Sequence, residues 1–311
     1  MSDNLSKVAI LLVVTNEAHH LTLFCQSILK QDHENIRLFV LDNNCTDNSA
    51  EIIRSICPAA WILSVNENMG FAKGNNILAE EAIKLDFDLL FILNPDIELH
   101  TNCVSNLVKL INSDDSFSAV APIMFFGRQQ RDLFKIQCYG DNFDYKKRIY
   151  KSLYGEKIFK ENELPKEIQV NLISGGITFI KSNVVKEIGL FDERYYIYGE
   201  EADLAFRSFL AGYKMKVTSE ARVWHHHDYS PKNKEKHYFS YFYMNRSKIL
   251  YFTKYKLYKP LTIELFKELI FFPVKVKWSL KTADIKLLKF YYLGLWRGLI
   301  GETGKTRTEF K

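Results

Sequence analysis

Largely apolar runs at 8–15, 36–41, 60–65 and 89–93, the last of them unbroken, punctuate the first hundred residues, each too short for a core helix and each ending in a polar cluster. Such runs predict strands buried on both faces. Between them, 18–31 reads as a helix with Leu21, Phe24, Ile28 and Leu29 roughly on one face. A second helix is predicted over 50–56, with Asp47 or Ser49 as N-cap, and a third over 77–84. Strand and helix alternate with short connections, which predicts a mostly parallel sheet with right-handed crossovers. Further strands are predicted at 118–126 and at 173–180, the latter opening on Gly175-Gly176. Helices follow at 182–188 and 200–211, then two short strands at 214–217 and 221–224. The stretch 127–165 is polar, aromatic and irregular, and carries no clear period. From Tyr238 onward the pattern is aromatic, basic and helical, with breaks expected at Pro260 and Pro273.

Composition sharpens this picture of an α/β chain. With 47% hydrophobic and 25% charged residues over 311 positions, the chain is globular and long enough for a full core plus an appendage. The charge is uneven: from Arg246 onward there are 15 Lys+Arg against 5 Asp+Glu, so a tail near +10 follows a body near −5. The expected organisation is an α/β body over 1–235 and a basic, aromatic helical extension over 236–311. In that extension Phe266, Leu269, Ile270, Val274 and Trp278 form an apolar stripe beside Lys267, Lys275 and Lys277. Such a helix suits an anionic membrane surface, or packs on the body with its lysines solvated. The five cysteines are scattered and lack zinc spacing, which points to reduced thiols in a cytosolic protein. No secretory leader and no run of about 18 uncharged apolar residues is found, so the expectation is a cytoplasmic protein, with attachment to the inner face of the plasma membrane left open. No G-x-G-x-x-G follows the first strand, and no nucleic-acid-binding module is recognisable.

The chemistry lies at strand ends. Thr15-Asn16-Glu17, Asp42-Asn43-Asn44, the 66–76 loop and Asn94-Pro95-Asp96 all follow predicted parallel strands. They therefore fall on one sheet edge, where ligands of open α/β sheets bind. Asp96 suits a divalent metal on a diphosphate; as a bare tripeptide, Asn-Pro-Asp also reads as a helix-capping turn. Asp42 suits a nucleobase or ribose donor, or a loop cap. Gly70 and Gly74 let backbone approach a ligand, the helix after them starts in positive potential, and Lys73 faces phosphate or solvent. Further on, Glu200, Glu201 and Asp203 crowd one helical turn after a run of tyrosines. They read as an acidic first turn stabilised by the helix dipole, or as a base for an acceptor hydroxyl beside a sugar platform. In His225-His226-His227, alternate residues share a strand face, and a single imidazole at His225 joining Asp96 on a metal is favoured over a three-histidine zinc site.

Taken together, these segments resemble glycosyltransferase family 2, the inverting GT-A enzymes, and within it the bacterial rhamnosyltransferase-like branch. The resemblance is carried by Val13-Val14-Thr15-Asn16, Leu41-Asp42-Asn43, Asn68-Met69-Gly70-Phe71-Ala72-Lys73-Gly74-Asn75-Asn76 and Leu93-Asn94-Pro95-Asp96. It continues through Gly175-Gly176, Phe191-Asp192-Glu193-Arg194, Glu200-Glu201-Ala202-Asp203-Leu204 and Val223-Trp224-His225. It implies a GT-A fold, a nucleotide-sugar donor and Mg²⁺ or Mn²⁺. Asp42 then matches the nucleoside-binding aspartate and Asp96 the last aspartate of the D-x-D metal motif. His225 matches the histidine near the metal or diphosphate, and Glu201 the catalytic base, with Glu200 or Asp203 able to share that role. Thr15, Asn16, Glu17, Asn43, Asn68, Gly70, Lys73, Asn75, Asn94, Gly175 and Gly176 would complete the donor side. Asn94 and Glu201 both stand where the family pattern carries aspartate. The implied activity is a single in-line displacement that inverts the anomeric centre, with L-rhamnose from dTDP-rhamnose as one donor. Galactofuranose, glucose, galactose or an N-acetylhexosamine are alternatives, as is a non-catalytic binder of the same fold. The implied acceptor is a surface polysaccharide or a lipid-linked saccharide, and a homo-oligomer is left open.

Overall fold

A computed structural model describes residues 6–127, 134–160, 163–226, 234–282 and 284–310. The chain begins β1 (Val8–Val14), α1 (Ala18–Leu29), β2 (Ile36–Asn43), α2 (Ser49–Ile56), β3 (Trp61–Val65), α3 (Gly70–Lys84) and β4 (Leu89–Leu93). Next come β5 (Ile97–Leu99), α4 (Cys103–Ile111), β6 (Phe117–Phe126), β7 (Ile136–Cys138) and the hairpin β8 (Asp141–Asp144) and β9 (Ile149–Ser152). Then follow β10 (Glu167–Val170), β11 (Ile177–Lys181), α5 (Ser182–Ile188), α6 (Glu200–Leu210) and β12 (Lys214–His225). Helices α7 (Lys234–Lys254), α8 (Tyr258–Lys281) and α9 (Ile285–Leu299) complete it.

The main sheet runs β10-β12-β6-β11-β4-β1-β2-β3, with β5 paired to β12 and β7 to β6. The β4-β1-β2-β3 half is parallel, as the alternating pattern predicts. Strand β11 runs antiparallel to both β4 and β6, and β12 is parallel to β6. Strand β12 therefore points the same way as β4, and its last residue, His225, arrives at the edge where Asn94–Asp96 leave β4. This one reversal lets residues 129 positions apart meet.

Several boundaries differ from the sequence reading. Helix α3 starts at Gly70, not 77, because Gly74 lets it lie directly on the sheet; a Cβ there would come within 2.9 Å of the Val13 side chain. That close packing outweighs the poor helix propensity of Gly70, Gly74, Asn75 and Asn76. The two short strands expected at 214–217 and 221–224 are one strand, with a register shift between Thr218 and Arg222. The strand expected from 173 begins at Ile177. Neither proline breaks α8: Pro260 sits in its first turn, where no N–H is needed, and the helix continues through Pro273.

The carboxyl-terminal helices are not separate from the body. The expected boundary at 235/236 falls in the first turn of α7, and Ile249, Leu250, Tyr251 and Phe252 of that helix join the main core with Leu261 and Leu295. A second apolar cluster unites Tyr196 with Tyr238, Phe242, Tyr243 and Phe290. Arg246 is fully buried between the two, donating from Nη2 to the Tyr195 carbonyl (3.0 Å), with its guanidinium 4.6 Å from the Tyr243 ring centre. Helix α8 is inverted by comparison. Its inward face is polar: Glu264 pairs with Lys248 (2.7 Å), Glu268 accepts from Lys275 and Tyr291, and Ser279 donates to the Asp284 carbonyl. Its outward face carries Phe266, Leu269, Ile270, Val274 and Trp278, each more than half exposed.

Candidate active site

The strand ends meet as a hydrogen-bonded shelf. Buried Asn43 donates from Nδ2 to Thr15 Oγ1 (3.2 Å) and Asn68 Oδ1 (3.0 Å), and its Oδ1 accepts from the Met69 amide (2.7 Å). Asn68 Oδ1 also accepts from the Gly70 amide (2.9 Å) and the Tyr196 hydroxyl (2.9 Å). Asn16 Oδ1 takes the Thr46 amide (2.8 Å), and the Glu17 amide donates to Ser49 (3.1 Å), so the loops after β1 and β2 are tied together. Asp42 stands half-buried at the end of β2, accepting from the Cys45 amide (3.0 Å) and the Ser64 hydroxyl (2.9 Å). Burial opposes its ionisation, but those donors and the charge of Arg54 hold the carboxyl below its ordinary value. It is an ionised acceptor at neutral pH.

Other donor-side expectations change. The amides of Phe71 and Ala72 donate to the Tyr196 carbonyl (2.9 and 3.1 Å), so the first turn of α3 is capped from within the protein and offers no open phosphate cradle there. Gly70, at φ +79°, is required by that contact: a Cβ would lie 2.4 Å from the Tyr196 ring. Asn75 is fully buried and donates back to the Phe71 carbonyl (2.9 Å), which removes it from ligand contact. Lys73 is exposed to solvent.

Asp96 and His225 meet as the motif implies. His225 Nε2 lies 3.1 Å from Asp96 Oδ2, its Nδ1 is 3.1 Å from Gln137 Oε1, and the His226 amide donates to the Asp96 carbonyl (2.8 Å). One carboxylate and one imidazole form a donor set that fits Mg²⁺ or Mn²⁺, and so few protein ligands leave coordination positions for diphosphate oxygens and water. His226 instead pairs with Glu98 (2.9 Å), and His227 lies outside the described residues. Asn94 fills the other side of the turn. Its amide hydrogen goes to the Gly176 carbonyl (3.1 Å), and a Cβ on Gly176 would lie 2.5 Å from its side chain, which is why glycine stands there. At the rim, Glu17, His19 and His20 bring ligand atoms within 4.8 Å of one another, a cluster that the sequence pattern does not single out.

The three clustered acids of α6 separate into three environments. Glu201 lines a cavity of about 730 Å³, with its Oε2 held by the Gly199 amide (2.9 Å). Gly175 lies against it, since a Cβ there would stand 3.5 Å from the Glu201 Cβ and from Glu200 Oε1. Glu200 is buried; burial, then the charge of Glu201, raises its carboxyl well above the ordinary value against the opposing pull of Arg148. Asp203 is fully buried, accepting from Arg207 Nε (2.7 Å), Tyr255 (2.8 Å) and Lys254. With its oxygens taken by α6 and α7, Asp203 is a structural anchor, and the expectation that it shares the base role is withdrawn.

The sugar platform expected from the tyrosine run is also corrected. Tyr195 and Tyr196 are buried, and of the run only Tyr198 lines the cavity. Its aromatic walls come instead from Phe143 and Tyr150 of the β8–β9 hairpin, Tyr241 of α7 and Tyr291 of α9. These lay in the stretch without a period and in the tail, where sequence spacing gave no sign that they face Glu201.

The comparisons with known proteins bear on the family and the fold. Residues 9–189 match the family model for glycosyl transferase family 2, and the chain belongs to that family. The resemblance read from the motifs is thereby borne out. The chain is 26% identical over 214 residues to the O-antigen chain rhamnosyltransferase WbaN of Salmonella anatum, covering 68% of this chain and 62% of that protein. It is 22% identical over 247 residues to the N-acetylglucosaminyl-diphospho-decaprenol L-rhamnosyltransferase of Mycobacterium tuberculosis, covering 74% of this chain and 78% of that protein. A poly-beta-1,6-N-acetyl-D-glucosamine synthase of Staphylococcus aureus is 24% identical over 71% of this chain and 50% of its own length. Among solved structures, GalNAc-T7 with UDP, GalNAc and Mn²⁺ superposes with a TM-score of 0.58 at 16% identity, over 81% of this chain and 50% of that one. That likeness establishes the GT-A fold.

Proposed function

We propose that the chain is an inverting, metal-dependent glycosyltransferase that moves a sugar from a nucleotide-sugar to a hydroxyl of a surface polysaccharide or lipid-linked saccharide. The observation that carries this reading is Glu201: a carboxylate oriented by a backbone amide, facing a cavity, beside the glycine pair that also touches the Asn94–Asp96 turn. Asp42 receives nucleoside hydrogens, and the Cys45 amide and Ser64 hydroxyl keep it in place. Asp96 and His225 would hold the cation, which when bound neutralises charge on the leaving diphosphate. Glu201 takes the proton from the acceptor hydroxyl, which attacks from the face opposite the diphosphate and inverts the anomeric centre. L-Rhamnose is the favoured donor sugar, because two of the relatives are named rhamnosyltransferases; the N-acetylglucosamine polymer synthase keeps a hexosamine as the alternative.

Glu201→Gln tests the base. Sugar transfer should fall by roughly 10²- to 10⁴-fold while nucleotide-induced thermal stabilisation is unchanged. Full activity in that variant overturns the assignment.

Among the described residues no helix is long and apolar enough to cross a membrane. Helix α8 suits the surface of one: its apolar residues point outward, and Lys259, Lys267, Lys277 and Lys281 flank them. Vesicles containing anionic lipid should therefore sediment the protein, and Phe266→Asp/Trp278→Asp should release it. Self-association through this face without vesicle binding would assign it to a second copy.

A further inference from the structure

A second cavity opens beside the one that Glu201 lines, and its chemistry is different. It measures about 650 Å³ and is lined by Lys146, Lys147, Arg148, Lys248, Lys259 and Lys267, with Glu264 as its lining carboxylate. Arg148 and Lys248 belong to both cavities, so the two are neighbours along one surface. Asp42, Asp96 and His225 line neither of them, which sets this basic cavity apart from the donor edge.

The cations come from three elements that the fold brings together. Lys146, Lys147 and Arg148 occupy the β8–β9 turn, where Asp144 accepts from the amides of Lys146 (3.0 Å) and Lys147 (2.9 Å) and fixes the loop. Lys248 rises from α7, and Lys259 and Lys267 from α8. Carboxylates offset part of this charge: Glu264 pairs with Lys248 (2.7 Å), Asp144 lies 3.7 Å from Lys147, and the charges of Glu201 and Glu200 act on Arg148. Arg148 makes no carboxylate ion pair among the described residues; its guanidinium lies 5.6 Å from the Tyr251 ring centre. A concave surface with such an excess of cations concentrates a polyanion. Pro260 and Ile263 line the same cavity, and the exposed apolar face of α8 continues from them through Phe266, Leu269 and Ile270. Cations therefore adjoin an apolar surface on one side and the Glu201 cavity on the other.

We propose that this basic cavity binds the diphosphate of a lipid-diphosphate-linked saccharide acceptor, which lays its hydrocarbon along α8 and presents its terminal sugar hydroxyl to Glu201. The inference rests on the transferase reading and names the acceptor class for that same site. It assigns Lys146, Lys147, Lys259 and Lys267 as acceptor-specificity residues that touch neither the donor edge nor the base.

The test is calorimetric titration of farnesyl diphosphate into the full chain, pre-saturated with UDP or dTDP and Mn²⁺ so that the donor edge is filled. Binding to the unmodified protein is expected, weakened on the order of tenfold or more in K147E/K259E/K267E. The charge-matched control K30E/K84E/K109E, on remote exposed lysines, should bind as the unmodified protein does. Inorganic pyrophosphate should bind more weakly than farnesyl diphosphate; equal affinity would assign the cavity to free diphosphate and overturn the lipid acceptor. Farnesol binding as tightly as farnesyl diphosphate, or unchanged affinity in K147E/K259E/K267E, would overturn the anionic subsite. Nucleotide-induced thermal stabilisation of each variant verifies its fold. Its absence in the unmodified protein counts against the transferase reading itself, whatever farnesyl diphosphate does.

Discussion

The proposed donor edge and the proposed acceptor cavity are built on opposite plans. Thr15, Asp42, Asn43, Asn68 and Asp96 come from successive strand ends, and buried amides such as Asn43 lock several of them to one another. The cavity facing Glu201 draws Phe143, Ser174, Tyr241 and Tyr291 from segments spread over about half the chain. Its walls exist only once the β8–β9 hairpin and the terminal helices have docked. Local, polar and mutually bonded on one side, long-range and aromatic on the other, the two halves differ in what holds them. Under the proposed function, a nucleotide is read by parts carried on neighbouring strand ends, and an acceptor by parts that must first pack together.

That contrast is sharpest where the docking is anchored. Asp203→Ala strips Lys254 and Arg207 of their buried partner and should cost about 3–5 kcal/mol, measured by urea unfolding. The α7 contact should loosen before the Asp42 shelf does, with hydrogen exchange rising first in residues 234–254. Equal loosening of both regions would break the comparison. Asp42→Asn should do the reverse, weakening nucleotide binding roughly tenfold with acceptor affinity untouched. The smallest effect is expected at Glu200, where burial and Glu201 raise the carboxyl pKa in the folded state. The folded protein then holds that proton to higher pH than the unfolded chain does. The associated stability is present below the ordinary carboxylate value and is lost as pH rises through the elevated one. Glu200→Gln should accordingly melt higher than the unmodified protein at alkaline pH, with the advantage shrinking toward pH 4. An advantage independent of pH would mean that packing, not charge, dominates there.

Legibility in the sequence follows the same division. Apolar runs such as Leu89–Leu93 are long enough to declare a buried strand, and the polar residue after each declares the edge. That is how Asp42 and Asp96 stand out, and why their shared edge was readable. Asp203 looked like Glu201 because spacing along a helix does not say which carboxylate meets Lys254 and which meets a cavity. Strand β12 read as two because Ser219-Glu220 interrupts its period with a bulge. Pro273 read as a break because propensity is local, whereas α8 is also held from α9, where Tyr291 donates to Glu268. The walls around Glu201 were illegible for the same reason: Tyr150, Tyr241 and Tyr291 share no motif, only a destination.

Arg246 carries a consequence for protein engineering. Buried in α7, it donates to the carbonyl of Tyr195, a few residues before Glu201, while Tyr196 stacks on Tyr243 with ring centres 5.0 Å apart. A chimera that joins residues 1–235 to a foreign tail would leave the loop leading into Glu201 without this support. Exchanging donor preference between relatives therefore calls for a crossover that keeps 195–201 and 238–246 from the same parent.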